Sequence, residues 1–462
     1  MKEFDLIVIG SGSGLDVASA FTSRGKDVAV IEPGPLGGTC LNRGCIPSKM
    51  LIHHADIAET VRSSENFNID ADINAVDFEG IVHEVNGKVA EDSKNIEKGL
   101  KNSDKHTLYR TEGRFVDEKV VEVNEAPASG GEVDEKITAE KILVAAGSRP
   151  LVPPIDGLRE DVFMTSDEAL SLDERPDELV IIGGGYIAAE LAHFFGSLGV
   201  EITIVEAQDS LIAREDDDIS ERFTELFSEH HDVNLGLKAT RVENLEDKVK
   251  VVAEDKKGNK ESFAGDRLLL AVGRRPNTDR VDAESGGLEL DEDGFLLTDD
   301  RLETTVDGVY ALGDIAGNFM FKHSANYEAE VVYQNLLTDG THRVDYTAMP
   351  HAVFSSPQIS GVGKTEQELE ASDQEFVSAS YEYGKTGMGL ALKEENGFVK
   401  VLADPATEEI LGCHIMGPEA SVLIHEVLVS MREGRGKVDD IKDTIHIHPA
   451  LNEVVQRAFN RI

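Results

Sequence analysis

The sequence predicts an α/β protein made of two Rossmann-like dinucleotide-binding domains followed by a C-terminal α/β domain. Three observations carry this expectation. A strand, a glycine turn, a helix and a second strand open the chain. The same unit recurs near residue 180. After about residue 346 the pattern changes to hairpin-like apolar alternation. A chain of 462 residues is also too long for one core, and its length suggests about three domains.

The first unit begins with a short apolar run, residues 4–9, read as one buried parallel strand. Gly10-Ser-Gly12-Ser-Gly14 follows, then a helix to about Arg24 and a strand over 27–31 that ends at Glu32. Glycines at this turn let backbone amides approach a pyrophosphate at the helix N-terminus, and an acid 20 residues after Gly12 can accept from ribose hydroxyls. The third glycine position holds Leu15, and Gly14 is expected to relieve the crowding.

In the second unit, a strand over 179–182 leads to Gly183-Gly-Gly185-Tyr186-Ile-Ala188 and a helix to about Leu198. A strand over 201–205 ends at Glu206, 21 residues after Gly185. Here Ala188 fills the small third position. The halves also end alike. Residues 142–150, with Ala146 and Gly147, resemble residues 268–276, with Gly273. Near Tyr310, a short strand delivers Gly313 and Asp314 to a turn, where a carboxylate suits polyol hydroxyls. Alone, the same turn reads equally as a helix cap.

The expected domains are 1–150 with 276–345, an inserted 151–275 entered through Pro150-Leu-Val-Pro-Pro154, and 346–462. Residues 117–136, with Gly130-Gly131, read as a solvated hairpin.

Composition excludes several classes. A net charge of −43, from 88 Asp+Glu against 45 Lys+Arg, repels nucleic acid and anionic membranes. The acid is spread through every segment, which fits a halophilic protein in a high-salt cytoplasm better than one acidic partner-binding face. Three cysteines do not make a secreted disulfide scaffold. With no signal peptide and no run of 18 apolar residues, a cytoplasmic location and no membrane contact are expected.

Two of those cysteines carry the chemistry. Gly38-Thr39-Cys40 and Cys45-Ile-Pro-Ser-Lys49 put a thiol pair five positions apart, just after the first unit. Pro47 in a first helical turn places Cys45 at a helix N-terminus, where the dipole lowers a thiol pKa. A structural disulfide is the bland alternative. A zinc pair has no partner C-x2-C, so no metal is expected. Near the C-terminus, His448-Pro-Ala-Leu-Asn-Glu453 lets a carboxylate reach back to an imidazole, orienting it to trade protons with a thiol. Cys413, on an expected strand, reads as a buried bystander.

From end to end these motifs resemble the pyridine nucleotide–disulfide oxidoreductases with a C-x4-C redox pair. That family includes dihydrolipoamide dehydrogenase and the glutathione, mycothione and mercuric reductases. The resemblance implies FAD on the first unit, closed by Asp314, NADH or NADPH on the second, and a homodimer joined through residues 346–462. It implies that Cys45 relays electrons, that Cys40 attacks the substrate disulfide, and that His448 serves the other subunit. It pairs Lys49 with Glu190 beside the flavin and makes Tyr186 an aromatic cover. No cysteine follows Cys413, against metal reduction, and the first helix reads Ala18-Ser-Ala20-Phe21 without an arginine for glutathione. A small-thiol disulfide reductase of the mycothione or bis-γ-glutamylcystine type is expected. A dihydrolipoamide dehydrogenase, working within a 2-oxoacid dehydrogenase complex, is the alternative. Glu206 favours NADH unless Arg214 offsets it. A flavin-binding electron carrier without disulfide chemistry is a further option.

Overall fold

The computed structural model describes residues 1–125, 133–338 and 340–462, so Gly130-Gly131 lies outside the described residues. Its first sheet is parallel and five-stranded. Leu6–Ile9 lies at its centre, flanked by Val28–Ile31 and His106–Tyr109 on one side and by Ile142–Val144 and Val309–Ala311 on the other. The last of these strands arrives from beyond residue 300, so the chain leaves this unit and returns to it.

The single opening strand expected over 4–9 is two. Lys2–Phe4 pairs with Val133–Ala139 in a separate four-stranded sheet, and Leu6–Ile9 enters the parallel one. Asp5 causes the switch. Its carboxylate accepts from the Asp27 amide at 2.8 Å and pairs with Lys26 at 2.9 Å, so the chain bends there. The hairpin read as solvated is corrected too. Its strands Val120–Glu125 and Val133–Ala139 pack Val121, Val123 and Ile137 into a core with Phe115, the inward half of a period-two alternation.

The second unit is a parallel sheet of Glu178–Ile182, Glu201–Val205, Asp232–Asn234 and Arg267–Leu270, with a three-stranded antiparallel sheet beside it. Its two connections to the first unit run side by side, Ser148–Pro150 pairing antiparallel with Arg274–Pro276. The C-terminal segment forms a five-stranded antiparallel sheet whose centre is Ile410–Met416, covered by helices Ala420–Glu433 and Glu453–Phe459. Cys413 is fully buried there.

Lys400, on the strand Phe398–Ala403, fixes the second unit to this sheet. It is nearly buried and lies 2.7 Å from Asp216, 2.7 Å from Asp218 and 2.5 Å from Glu366. A charge so desolvated is tolerable only with such partners. Among the described residues no helix is long and apolar enough to cross a membrane.

Candidate active site

Both glycine turns sit at the carboxyl ends of parallel strands. Gly10 takes φ +104°, and a side chain there would place Cβ 2.2 Å from the Ala145 carbonyl oxygen. Gly183 takes φ +109°, with Cβ 2.4 Å from the Ala271 oxygen. Neither position admits another residue without moving backbone. Gly14 does relieve the crowding at Leu15, since its Cβ would meet Val8 at 2.8 Å and Ala145 at 3.0 Å. The helix Gly14–Thr22 can therefore lie close on the sheet.

The acids fold back onto their own turns. Glu32 accepts from the Ser11 amide at 3.0 Å and hydroxyl at 2.8 Å, and from the Gly34 amide at 2.8 Å. Glu206 accepts from the Gly184 amide and, at 2.7 Å, from the Gln208 amide.

A cavity of about 390 Å³ runs from Glu32 past Gly10, Gly12 and Gly38 to the cysteines, and on to Tyr186, Glu190 and Ala352. Thr39, Ala146, Gly147, Gly313 and Asp314 also line it. Gly183, Gly185, Ala188, Glu206 and Gly273 do not. They stand at the end of the second sheet. Gly38 packs against the first turn so closely that a Cβ would lie 2.7 Å from Gly12 Cα. This contact aligns the cysteine segment with the glycine turn.

Cys40 belongs to the short helix Gly38–Arg43, and Cys45 is the first residue of Cys45–Arg62. Both thiols are free and line the same cavity wall, close enough for each to shift the other's titration. The neighbouring Cys40 thiol, helped by the nearby Lys49 ammonium, brings Cys45 down to about 7 against the cost of burial. Cys40 is pushed the other way by Cys45 and by burial, with Lys322 opposing. The pair therefore gives up its first proton near neutrality.

One turn beyond Cys45, Lys49 donates to both oxygens of Glu190 at 2.8 and 2.6 Å. Glu190 also accepts from the Phe354 amide at 3.0 Å, and the ammonium lies 4.8 Å from the Phe354 ring centre. Tyr186 donates its hydroxyl to Glu215, whose other oxygen meets His351 Nε2 at 2.9 Å. The Tyr186 and His351 rings stack 6.2 Å apart. Burial and the Glu215 carboxylate keep the tyrosine hydroxyl protonated. Sequence reasoning missed Glu215, His351 and Phe354, and no motif marks them.

At the other end, Asp314 accepts from the Ser148 hydroxyl and lies 3.7 Å from Arg274. The Gly313 amide donates to buried Glu328 at 2.6 Å. Ser148 and Arg274 had a signal, because they occupy the matching segments 142–150 and 268–276. His448 Nδ1 lies 3.1 Å from each oxygen of Glu453, but its ring is 77% exposed and does not line the cavity. The chain does not bring its own imidazole to its own thiols.

The family model for pyridine nucleotide-disulphide oxidoreductases matches residues 4–329, and that for their dimerisation domain matches 349–459. The chain belongs to the pyridine nucleotide-disulphide oxidoreductases. It is 35% identical to mycothione reductase of Mycobacterium tuberculosis over 99% of both chains. It is 37% identical to dihydrolipoyl dehydrogenase 2 of Haloarcula marismortui, over 98% of this chain and 95% of that one. The Cu(II) complex of the HOCl-induced flavoprotein disulfide reductase RclA from Escherichia coli superposes with a TM-score of 0.88 at 28% identity, covering both chains fully. The family uses FAD with NADH or NADPH. The long cavity fits such a dinucleotide, with bare glycine backbone at its middle, carboxylates at Glu32 and Asp314, and thiols at the far end.

Proposed function

We propose that this enzyme uses NAD(P)H to reduce a low-molecular-weight thiol disulfide of the bis-γ-glutamylcystine or mycothione type. The observation that carries the reading is the pair of free thiols Cys40 and Cys45, with Lys49 one turn on, on the wall of a glycine-lined cavity. Bound FAD would supply the two-electron link between nicotinamide and sulfur. Gly10, Gly12, Gly14, Gly38 and Thr39 would hold its phosphates, Glu32 its ribose, and Ala146, Gly147, Gly313 and Asp314 its polyol end.

In the reduced protein Cys40 gives its proton to His448 as its sulfur attacks one substrate sulfur, forming a mixed disulfide and expelling one thiolate. His448, oriented by Glu453, protonates that leaving group. The Cys45 thiolate then attacks Cys40 Sγ, releasing the second thiol and closing the Cys40–Cys45 disulfide. Two electrons from nicotinamide reopen it. The exposure of His448 supports its action on a second copy's thiols in a homodimer. Apolar Val422, Val429, Ile445 and Ile447, all at least 59% exposed, support the same face as the contact. Lys49 and Glu190 hold a fixed charge pair beside Cys45, and Tyr186 covers the hydride end until nicotinamide enters.

Gly183, Gly185, Ala188 and Gly273 would hold the nicotinamide dinucleotide. NADH is favoured over NADPH. The Glu206 carboxylate, held on its own glycine turn by the Gly184 and Gln208 amides, would repel a 2′-phosphate. One observation favours a second reading, dihydrolipoamide dehydrogenase in a 2-oxoacid complex: the 37% identity to the Haloarcula enzyme. A steady-state assay in molar KCl separates them, comparing bis-γ-glutamylcystine, mycothione disulfide and lipoamide with each nicotinamide. Turnover of lipoamide alone, with NADH, overturns the proposal in favour of the second reading.

A further inference from the structure

Lys322 opens the helix Lys322–Leu337, half-buried in the wall between two cavities. One is the long cavity of the cysteines. The other, about 550 Å³, lies between the first helix and the helix Phe78–Lys101, borders the first glycine turn at Gly12, and is lined further out by Asp16, Ser19, Leu41, Ile96 and His106. Among the described residues the Lys322 ammonium meets no carboxylate. It donates to the Ser13 hydroxyl at 2.7 Å, and that hydroxyl donates on to Asn326 at 3.0 Å. In a chain with 88 acids against 45 bases, a cation held in a cavity wall without an acid needs a reason.

A second group in the same cavity also lacks a partner. His106 binds Ser103 through Nδ1 at 2.8 Å, while its buried Nε2 has no hydrogen-bond partner among the described residues. Burial pushes this imidazole down, so it stays neutral. An ammonium without a carboxylate in a cavity wall suits an anionic ligand. The space adjoins the cysteines, because Leu41, which lines it, follows Cys40 directly, and the Lys322 charge is felt at the Cys40 thiol.

We infer that Lys322 binds a carboxylate of the substrate disulfide, so that the enzyme selects disulfides bearing a charged amino-acid head group over neutral ones. This rests on the disulfide reductase reading above and narrows its substrate class. Asp16, the acid of the same cavity, opposes a bare anion but suits a group that carries an ammonium beside its carboxylate. Lys322 is here a specificity residue and takes no part in the bond-making steps.

The test uses two pairs of disulfides that differ only in charge: lipoate with lipoamide, and bis-γ-glutamylcystine with its carboxamide derivative. FAD-loaded wild type, Lys322→Gln and Lys322→Arg are compared in molar KCl with NADH and with NADPH. The wild type should favour the carboxylate in each pair it turns over. Lys322→Gln should lower that kcat/KM ratio about tenfold, mainly through KM, and Lys322→Arg should restore most of it. A ratio unmoved by Lys322→Gln overturns the assignment and leaves the reductase reading standing. So does an unmoved ratio with weaker FAD retention, read as flavin released on heating, which would give Lys322 to the cofactor phosphates. A wild type that reduces no disulfide with either nicotinamide sinks the reductase reading and this inference together.

Discussion

The two dinucleotide units share a geometry down to single contacts, yet they present different chemistry. Gly10 and Gly183 adopt nearly the same positive φ against the same kind of backbone oxygen, and Glu32 and Glu206 cap equivalent turn amides at Ser11 and Gly184. The difference lies in the segment beyond each turn. The first unit runs on into a second glycine turn and the cysteine helices. The second runs into the helix Tyr186–Ser197, which carries Tyr186 and Glu190 back to the first unit's cavity. A repeated scaffold thus brings one half's sulfur to the other half's aromatic and acid.

Substitutions can break this division of labour, the largest effect first. Cys40→Ser should cut disulfide turnover by about 10⁴-fold or more while NADH oxidation by ferricyanide persists, as steady-state rates with the two acceptors will show. His448→Gln should cost about 10²–10⁴-fold in disulfide turnover with anaerobic flavin reduction by NADH unchanged in a stopped-flow trace. The paired glycines sharpen the comparison. Gly10→Ala and Gly183→Ala should each cost about 1–3 kcal/mol of stability by overpacking in denaturant titration. Only Gly10→Ala should also shed flavin, whereas Gly183→Ala should stay yellow with a raised KM for nicotinamide. Glu206→Gln should shift the NADH-to-NADPH ratio of kcat/KM towards NADPH by about tenfold, roughly 1.4 kcal/mol, in parallel measurements.

The smallest effect is in pH. Folding lowers the Cys45 thiol from its ordinary value to about 7. A lowered acid contributes stability that is complete above the unfolded thiol value, near 8.5, and lost as pH falls through about 7. The reduced protein should therefore gain stability between these limits relative to the oxidised one, in which neither Cys40 nor Cys45 titrates. Melting temperatures of both forms from pH 6 to 9 check this, and parallel curves would remove the lowered thiol.

Both glycine turns, both acids and the C-x4-C run were legible because each is a local requirement. A positive φ or a carbonyl 2.2 Å from a would-be Cβ restricts the residue at one position, and regular spacing exposes it. The alternation of Val121 and Val123 also marked a buried face, but the adjacent Gly130-Gly131 suggested solvent. The split at Asp5 was not legible, since a lone acid in an apolar run shows its partners only after Lys26 and Asp27 fold beside it. Glu215 and His351 are 136 residues apart, and nothing local marks either as a partner of Tyr186.

By itself the sequence determined the α/β class, the repeated glycine turns and the paired thiols, because backbone conformation and thiol spacing are properties of short segments. Only the tertiary structure decided that Glu215 holds Tyr186, that Lys322 stands unmatched between two cavities, and that His448 faces away from its own cysteines. Those arrangements depend on which distant side chains share a desolvated space, and that is set by how the sheets pack.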